Sequence, residues 1–394
     1  MGKRCRIVIK ALWILVILNL FSFGCFAQSK HTSVWNIGNY VMKFDANSVH
    51  IEDNQNFFDK EILSVDAKGK IKLILDYQGQ LLNDNFEPIN GSKKVGVGDP
   101  FVVPVPHNCN FVYFFVGRQY VLIDTQKSEI IGDVTVLHEL DNLDKYDFLR
   151  FGHIMVHHSN CEDVWLIYYD TDIVYKYLIT ASGIEYKGIK QINRQIANPQ
   201  NKDLIIHLSN DCNHYTANYL GDSIVCYGDF DRVTGNFVRK SEVMIHSRSE
   251  VMNTRVLNSL IANDNKTIYY YCESRRNKGI YSNEILSVDI VAGKPDYENV
   301  HILYSKIYHR KGFDVSDMFY GNDGNIYILD DNLSKVFKVI PVPDGRTIVD
   351  DDFLNYQSEG GTRSANFLAD WFSPNPCGEN CACPEMKKPV IICD

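Results

Sequence analysis

The amino-acid sequence predicts an all-β fold, a β-propeller of six or seven four-stranded blades followed by a short Cys-rich C-terminal tail. Branched and aromatic residues occur in many short runs bounded by Asp, Asn, Ser and Gly, as is typical of strands and turns. A polar turn, an aromatic-rich strand, a tight turn and a second strand recur as a unit. Helical periodicity is weak throughout the chain, which favours sheets over helices.

The clearest example of this unit lies at residues 160–185. Residues 164–169 form an apolar and aromatic run around Trp165, and residues 174–179 form a second run after the polar triplet 170–172. Branched and aromatic side chains fit a pleated sheet, whereas Asp, Ser and Gly favour turns. The two runs are therefore predicted to be paired strands of an antiparallel sheet.

Further extended segments follow the same local rules in chain order. Each is an apolar, branched or aromatic run that ends near Gly, Asn, Asp or Pro. The predicted segments are residues 41–49, 71–76, 80–82, 101–106, 111–116, 120–124, 132–140, 146–158, 204–208, 215–220, 223–227, 236–245, 268–272, 284–291, 326–329 and 335–340. The best helical candidate is the polar segment 247–261.

The recurring unit suggests how these strands are organised. It starts at Gly69, Asn110, Glu162, Asn265 and Gly324, and the uneven spacing indicates that further units are degenerate. Propeller blades need roughly 40–50 residues each, so about 350 mature residues accommodate six or seven blades. A pair of β-sandwich domains is the alternative, because it also produces short strands joined by turns.

Composition limits the classes of partner. The 394-residue chain is 45% hydrophobic and 12% aromatic, enough for a sizeable core, and its formal net charge is -9. Nucleic-acid binding requires clustered Lys and Arg, and the mature sequence has no such cluster. The sequence therefore argues against nucleic acid as a partner. The acidic residues are spread along turns, where they favour solubility.

The N-terminus, residues 1–27, is predicted to be a secretory signal peptide. Basic residues precede an apolar run at residues 11–23, which is too short to span a bilayer. Cleavage after Ala27 leaves Gln28 as the mature N-terminus, and lipidation of Cys25 at a degenerate lipobox is the alternative. No later segment is apolar enough for a transmembrane span, so the mature protein is expected to be secreted or at the cell surface, with the periplasm or a lipid anchor as the alternative.

Several motifs resemble the secreted β-propeller domain found in Bacteroidetes at the N-terminus of gliding-motility and type IX secretion-associated cargo proteins. The similarity depends on the order of five stretches, which are residues 35–39 (W-x-F-G-N in the family), 69–82 with Asn90-Gly91, 101–106 (I-V-P-x-P), 161–165 with 178–183 (C-D-V-W and L-L-T-x-x-G), and 322–329 (P-D-G-K-I-Y-V). It spans residues 34–372, which predicts one propeller domain, with residues 373–394 as a separate tail.

The chain also departs from this family. Asn36 and Ile37 replace aromatic residues, and the usual Leu-Pro-Asn-Phe appears only within residues 365–368. No sorting domain follows, so type IX export is not implied. The family has no known catalytic residues, and the resemblance implies a binding or scaffold role through architecture alone.

The tail contains the disulfide candidates Cys377, Cys381, Cys383 and Cys393. Beyond a secretion signal, their spacing is typical of a small disulfide knot, while a soft-metal site and a partly reduced tail are the alternatives. Five cysteines precede the tail, at positions 109, 161, 212, 226 and 272. Because five is odd, at least one of them is expected to remain a buried thiol or to pair with the tail.

Other groups able to support chemistry have ordinary structural interpretations. His153 and His157 share one strand face while His158 points away, so metal binding competes with simple strand packing. The pairs Asp170/Asp172 and Asp229/Asp231 could be glycosidase carboxylates, but they lie in turn contexts. The run 350–352 lacks the EF-hand order of calcium ligands.

The sequence therefore predicts no catalytic residue, no cofactor and no metal. The first hypothesis is an exported, non-enzymatic β-propeller that binds a protein or glycan at the bacterial envelope or outside the cell. A secreted carbohydrate-active hydrolase or lyase with its site at the channel mouth is the alternative, because propeller channels can also hold active sites. A periplasmic structural component anchored through Cys25 is a third hypothesis.

Overall fold

The computed structural model describes most of the residues between 34 and 366. The described ranges are 34–37, 40–44, 48–53, 60–65, 71–76, 79–91, 100–140, 152–170, 173–191, 204–209, 211–219, 223–245, 253–262, 264–275, 281–308, 316–321, 323–330, 335–341, 347–355 and 365–366. The predicted signal peptide, the domain boundary after residue 372 and the four tail cysteines lie outside the described residues.

The described residues form 27 strands. These are β1 Val34–Ile37, β2 Tyr40–Phe44, β3 Val49–Asp53, β4 Lys60–Val65, β5 Ile71–Asp76, β6 Leu81–Leu82, β7 Pro100–Val105, β8 Asn108–Val116, β9 Gln119–Asp124, β10 Glu129–Val136, β11 Gly152–His157, β12 Val164–Asp170, β13 Ile173–Thr180, β14 Gly183–Gln191, β15 Leu204–Leu208, β16 His214–Tyr219, β17 Ile224–Asp231, β18 Asn236–Met244, β19 Asn253–Ile261, β20 Thr267–Arg275, β21 Tyr281–Val291, β22 Lys294–Tyr308, β23 Ser316–Tyr320, β24 Ile326–Asp330, β25 Lys335–Pro341, β26 Thr347–Asn355 and β27 Ala365–Asn366. A 3-10 turn at His138–Leu140 is the only helical element that the described residues contain.

The strands of the described residues assemble into seven antiparallel sheets, six with four strands and one with three. In chain order the blades are blade 1 (β27, β1, β2, β3), blade 2 (β4–β6), blade 3 (β7–β10), blade 4 (β11–β14), blade 5 (β15–β18), blade 6 (β19–β22) and blade 7 (β23–β26). The first strands of successive blades contact one another, as β11, β15, β19 and β23 do in sequence. These first strands are therefore innermost.

Apolar clusters join successive blades into a ring. Buried side chains connect blade 2 to blade 3, and each later blade to the next one, through to blade 7. Phe44 of blade 1 packs with Tyr327 of blade 7, with ring centroids 5.2 Å apart, and β1 contacts β4 of blade 2. The ring closes within blade 1, because β27 from the C-terminal end pairs with the N-terminal β1. The chain thus forms a β-propeller, as the sequence predicts.

The predicted hairpin at residues 160–185 is confirmed as the centre of blade 4. β12 and β13 pair antiparallel with Trp165 opposite Leu178 and Tyr168 opposite Tyr175. The alternating residues face different neighbours, because Trp165 packs toward blade 5 while Tyr168 packs toward blade 3. Both faces of this central hairpin are buried, which explains why residues 164–169 are apolar or aromatic without interruption.

A repeated turn connects the first and second strands of blades 4–7. The turn begins at His158, Ser209, Ala262 or Gly321, and the third residue after each start donates its backbone N–H to the starting carbonyl. That third residue has a positive φ in each blade, and these residues are Cys161, Cys212, Asn265 and Gly324. Gly and Asn adopt this left-handed conformation readily, whereas Cys does so rarely.

Blade 2 replaces its fourth strand with a hydrogen-bonded turn in the described residues. Asn83 donates to the Glu87 carbonyl at 2.8 Å, and Ile89 returns to donate to the Leu81 carbonyl at 2.9 Å. Asn90 then bonds to the start of β10 in blade 3. The edge of this blade is therefore closed by its own chain, although the sequence predicted four strands per blade.

The helical candidate at residues 247–261 is wrong over its described part. Residues 253–261 form β19, the innermost strand of blade 6, and the register of its pairing with β20 shifts between Val256 and Asn258. This β-bulge inserts one residue and interrupts strict alternation, which removes the period-two signal of a strand.

Candidate functional site

One concentration of polar side chains in the described residues lies between blades 5 and 6, and most of its members are buried. We call it the polar seam, and it consists of His207, Thr216, Asn218, Asn258 and Ser259. His207 lies on β15 directly opposite Thr216 on β16, and the other blade contributes Asn258 and Ser259 from β19. Thr216, Asn218 and Ser259 are fully buried and Asn258 is 1% exposed.

Hydrogen bonds connect the two blades across the polar seam. The Ser259 hydroxyl lies 3.1 Å from Asn218 Oδ1, and Asn218 Nδ2 donates to the Val256 carbonyl at 3.4 Å. The Asn258 side chain accepts from the Ser259 backbone N–H at 2.8 Å and also bonds to His207. The β-bulge of β19 lies between Val256 and Asn258, and bulges commonly redirect side chains beside functional sites.

Two buried atoms of the polar seam have no hydrogen-bond partner among the described residues. They are His207 Nε2 and Thr216 Oγ1, which belong to opposed residues of the same strand pair. Burial lowers the pKa of His207 to about 4, and the hydrogen bond with Asn258 opposes this shift. The imidazole is therefore neutral at pH 7 and can accept or donate one proton.

Blade 6 contains a second cluster of polar side chains, which surrounds a fully buried carboxylate. Glu284 on β21 accepts hydrogen bonds from the hydroxyls of Ser274, Ser282 and Ser305 at 3.1, 3.2 and 3.3 Å. The Ser274 hydroxyl in turn lies 3.4 Å from that of Thr254 on the innermost strand. These bonds satisfy a buried carboxylate and join all four strands of the blade.

The carboxylate pairs proposed from sequence do not form a catalytic pair where they are described. Asp229 accepts from His214 at 2.9 Å and lies 2.7 Å from Lys240 Nζ. Asp231 instead caps its own turn, and the hydrogen bond from the Thr234 hydroxyl holds its pKa below the usual value. Asp170 ends β12, and Asp172 lies outside the described residues.

The acidic run 350–352 forms ion pairs along the outer strand of blade 7. Asp351 accepts from Tyr304 at 3.0 Å and from Lys306 at 3.3 Å, and these bonds lower its pKa. Asp352 pairs with Lys335 at 2.6 Å. Asp351 thus joins blade 7 to blade 6, and Asp352 connects two strands within blade 7.

The three clustered histidines lie at blade joints. The His153 ring stacks on Phe101 of blade 3 with a centroid separation of 3.9 Å, and His158 Nε2 lies 3.1 Å from the Val233 carbonyl of blade 5. His157 ends β11 and its carbonyl accepts from Arg232 Nε at 3.1 Å. Within the described part of the chain, no group of three or more His, Cys, Asp or Glu residues could hold a metal ion.

Trp165 connects blade 4 to the outer hairpin of blade 5. Its indole N–H donates to the Arg232 carbonyl at 2.9 Å, and Lys176 Nζ bonds to Thr234 and Asn236 of that hairpin at 2.9 and 2.8 Å. Burial lowers the pKa of Lys176. Gly235 touches the indole face so closely that a Cβ there would lie 2.9 Å from a ring carbon.

The cysteines before the tail differ in state. Cys226 and Cys272 are buried thiols, which confirms that at least one of the five remains a buried thiol. Burial raises the pKa of Cys226 to about 12 and places that of Cys272 well above its usual value. Cys161 is disulfide-bonded. The thiols at positions 226 and 272 are therefore packing residues with little thiolate character.

The polar seam was not found from sequence, and one local signal could have pointed to it. His207 occurs within an otherwise apolar strand, LIIHL, but its partners Asn258 and Ser259 are about fifty residues away.

The described residues include no helix long and apolar enough to cross a membrane.

The ring of seven antiparallel sheets in the described residues makes this protein an all-β propeller. No family model matches the chain, and no curated protein matches it. Similarity is found only to solved structures, and it concerns the fold.

Three of these structures are similar over most of the chain. A protein from Lactobacillus plantarum has 12% identity and a TM-score of 0.48, with 82% of this chain and 95% of that chain covered. The Pseudomonas aeruginosa periplasmic gluconolactonase PpgL has 10% identity and a TM-score of 0.48, with 86% and 99% covered. The Nup133 β-propeller domain of Vanderwaltozyma polyspora has 12% identity and a TM-score of 0.45, with 78% and 86% covered. At these levels, nothing follows about activity.

Proposed function

We propose that this chain is an exported, non-enzymatic β-propeller that binds a protein or glycan at the bacterial cell envelope or outside the cell. The proposal includes removal of residues 1–27 and a secreted or cell-surface location. It also includes kinship with the secreted Bacteroidetes propeller domain, which the motifs at residues 35–39 and 101–106 resemble.

One observation carries the proposal, namely that several carboxylates and a histidine that the sequence offers for catalysis instead hold blades and turns together where they are described. Asp229, Asp231 and Asp351 bind neighbouring side chains, and His153 stacks on Phe101. The innermost strands β7, β11, β15 and β19 contain no Asp or Glu in their sequences, whereas the innermost strands β4 and β23 contain one each, Glu61 and Asp317. Glycoside hydrolysis commonly needs two carboxylates flanking the bond, so these four strands suit binding better than that chemistry.

A carbohydrate-active enzyme remains the second candidate, and one observation favours it. His207 is a neutral imidazole on an innermost strand, and its Nε2 has no hydrogen-bond partner among the described residues. A neutral imidazole can act as a general base at neutral pH. This candidate requires that a substrate reach His207.

The test uses purified residues 28–394 and a matched His207→Gln variant. Each is incubated with envelope polysaccharides and surface proteins and then crosslinked, and mass spectrometry identifies the retained partners. The proposal predicts that both proteins retain the same partner and that neither changes the chain length of the polysaccharide. Shortening by the wild type that His207→Gln abolishes, with folding intact by circular dichroism, would instead establish the enzyme.

A further inference from the structure

Among the described residues, the outermost strands of the blades form the sheet edges, and most of these edges are irregular. In blades 3–7 the pairing of the outermost strand with its neighbour contains at least one register shift. Such bulges twist an edge away from further pairing and are a common protection against association between sheets.

Blade 1 differs from these five blades. Its outermost strand β3 pairs with β2 without a register shift, from Tyr40 opposite Asp53 to Phe44 opposite Val49. The side chains of residues 50–53 are exposed, and Ile51 is 37% exposed. A regular edge with exposed side chains is a template for addition of another strand.

The sequence of β3, VHIED, is complementary to itself in the antiparallel direction. If two copies pair with Ile51 at the centre, each His50 lies opposite the Glu52 of the other copy, and the two Ile51 side chains meet. Hydrogen-bonding polar pairs and aliphatic cross-strand pairs stabilise a sheet, whereas a parallel in-register pairing would place Glu52 opposite Glu52. The same patch on both partners satisfies twofold symmetry.

We propose that the β3 edge of blade 1 is a self-association surface, on which two copies of this chain pair β3 with β3 antiparallel and centred on Ile51. Two blades then join into one continuous eight-stranded sheet. Five paired residues bury less than the roughly 1,200 Å² of a stable interface, so the dimer is weak and concentration-dependent. This inference does not depend on the proposed function, although two linked copies would give avidity for a repetitive ligand.

Local geometry permits a charge-swap test. Lys43 of β2 lies opposite His50 and binds Glu52 at 2.7 Å within the same copy. The single change His50→Glu places like charges opposite each other across the dimer. The double change His50→Glu with Glu52→Lys places opposite charges across from each other between copies, and it also leaves Lys43 facing the introduced glutamate.

The experiment is sedimentation velocity of purified residues 28–394 over about a hundredfold range of concentration. Wild type is expected to show a rising dimer fraction, which Ile51→Lys and His50→Glu abolish and which the double variant restores. Ile348→Lys, on the bulged outer strand of blade 7 and 55% exposed in the native side chain, is the matched control and should dimerise as wild type does.

Two results would overturn the proposal. One is a wild type that remains monomeric at the highest concentration, and the other is a dimer that persists unchanged in Ile51→Lys. Circular dichroism of each variant confirms that the propeller is folded, so that loss of the dimer is not mistaken for loss of structure.

Discussion

Acidification should weaken the joint between blades 5 and 6 through His207. Burial lowers the pKa of this imidazole from 6.5 to about 4, so the native state favours its neutral form. The stabilisation is fully present above pH 6.5 and is lost as the pH falls through the window from 6.5 toward 4. The other polar-seam side chains, Thr216, Asn218, Asn258 and Ser259, have no titratable group that would obscure the effect.

The magnitude follows from the size of the pKa difference. Each pH unit is worth about 1.4 kcal/mol within the window, so the total is about 3 kcal/mol. At about pH 5 the wild type should have lost about 2 kcal/mol relative to about pH 8. Carboxylates with lowered pKa values, such as Asp231 and Asp351, titrate below this range and contribute little.

The assay is urea unfolding of residues 28–394, followed by tryptophan fluorescence at several pH values. His207→Gln removes the titrating group, so its free energy of unfolding should fall by about 2 kcal/mol less than that of wild type over this range. The exposed His301→Gln retains the buried imidazole and should follow the wild-type profile. Equal pH dependence in wild type and His207→Gln would show that His207 does not cause the loss of stability at low pH.

Two further predictions concern packing and reactivity. Gly235→Ala should destabilise the protein by about 2–3 kcal/mol, because a Cβ at φ +64 would press on Trp165, whereas Gly293→Ala at φ +75, with open space around it, should cost about 1 kcal/mol. Thermal unfolding compares the two, and equal losses would contradict the role of the Trp165 contact. Cys226 and Cys272 should react with a thiol reagent only after denaturation, because both are buried and their pKa values are raised. Rapid modification of either thiol in the folded protein would argue against their burial.

Much of the strand content could be predicted because strand and turn signals are local. The recurring units proposed at Gly69, Asn110, Glu162, Asn265 and Gly324 each start within two residues of the first residue of a blade's second strand. Asn265 and Gly324 are also the positive-φ residues of the repeated turn, so the sequence marks those turns directly.

The unit of blade 5 was not predicted from the sequence. Its turn places Cys212 in the left-handed conformation, as the turn of the predicted blade 4 unit places Cys161. The side chain of Cys212 is fully buried in the cluster between blades 4 and 5. A residue in a left-handed conformation that Cys rarely adopts is thus packed into the core. β19 was not predicted as a strand, because the bulge at Val256–Asn258 interrupts the alternation that identifies a strand.

The all-β class, the clearest hairpins and several turn positions could be predicted, because these depend on residues only a few positions apart. The number of blades, the closure of the ring by β27 and the hydrogen bond between His207 and Asn258 across the polar seam became known from the three-dimensional structure. These features join residues from different blades, and no local preference records which blades become neighbours or which polar atoms are buried between them.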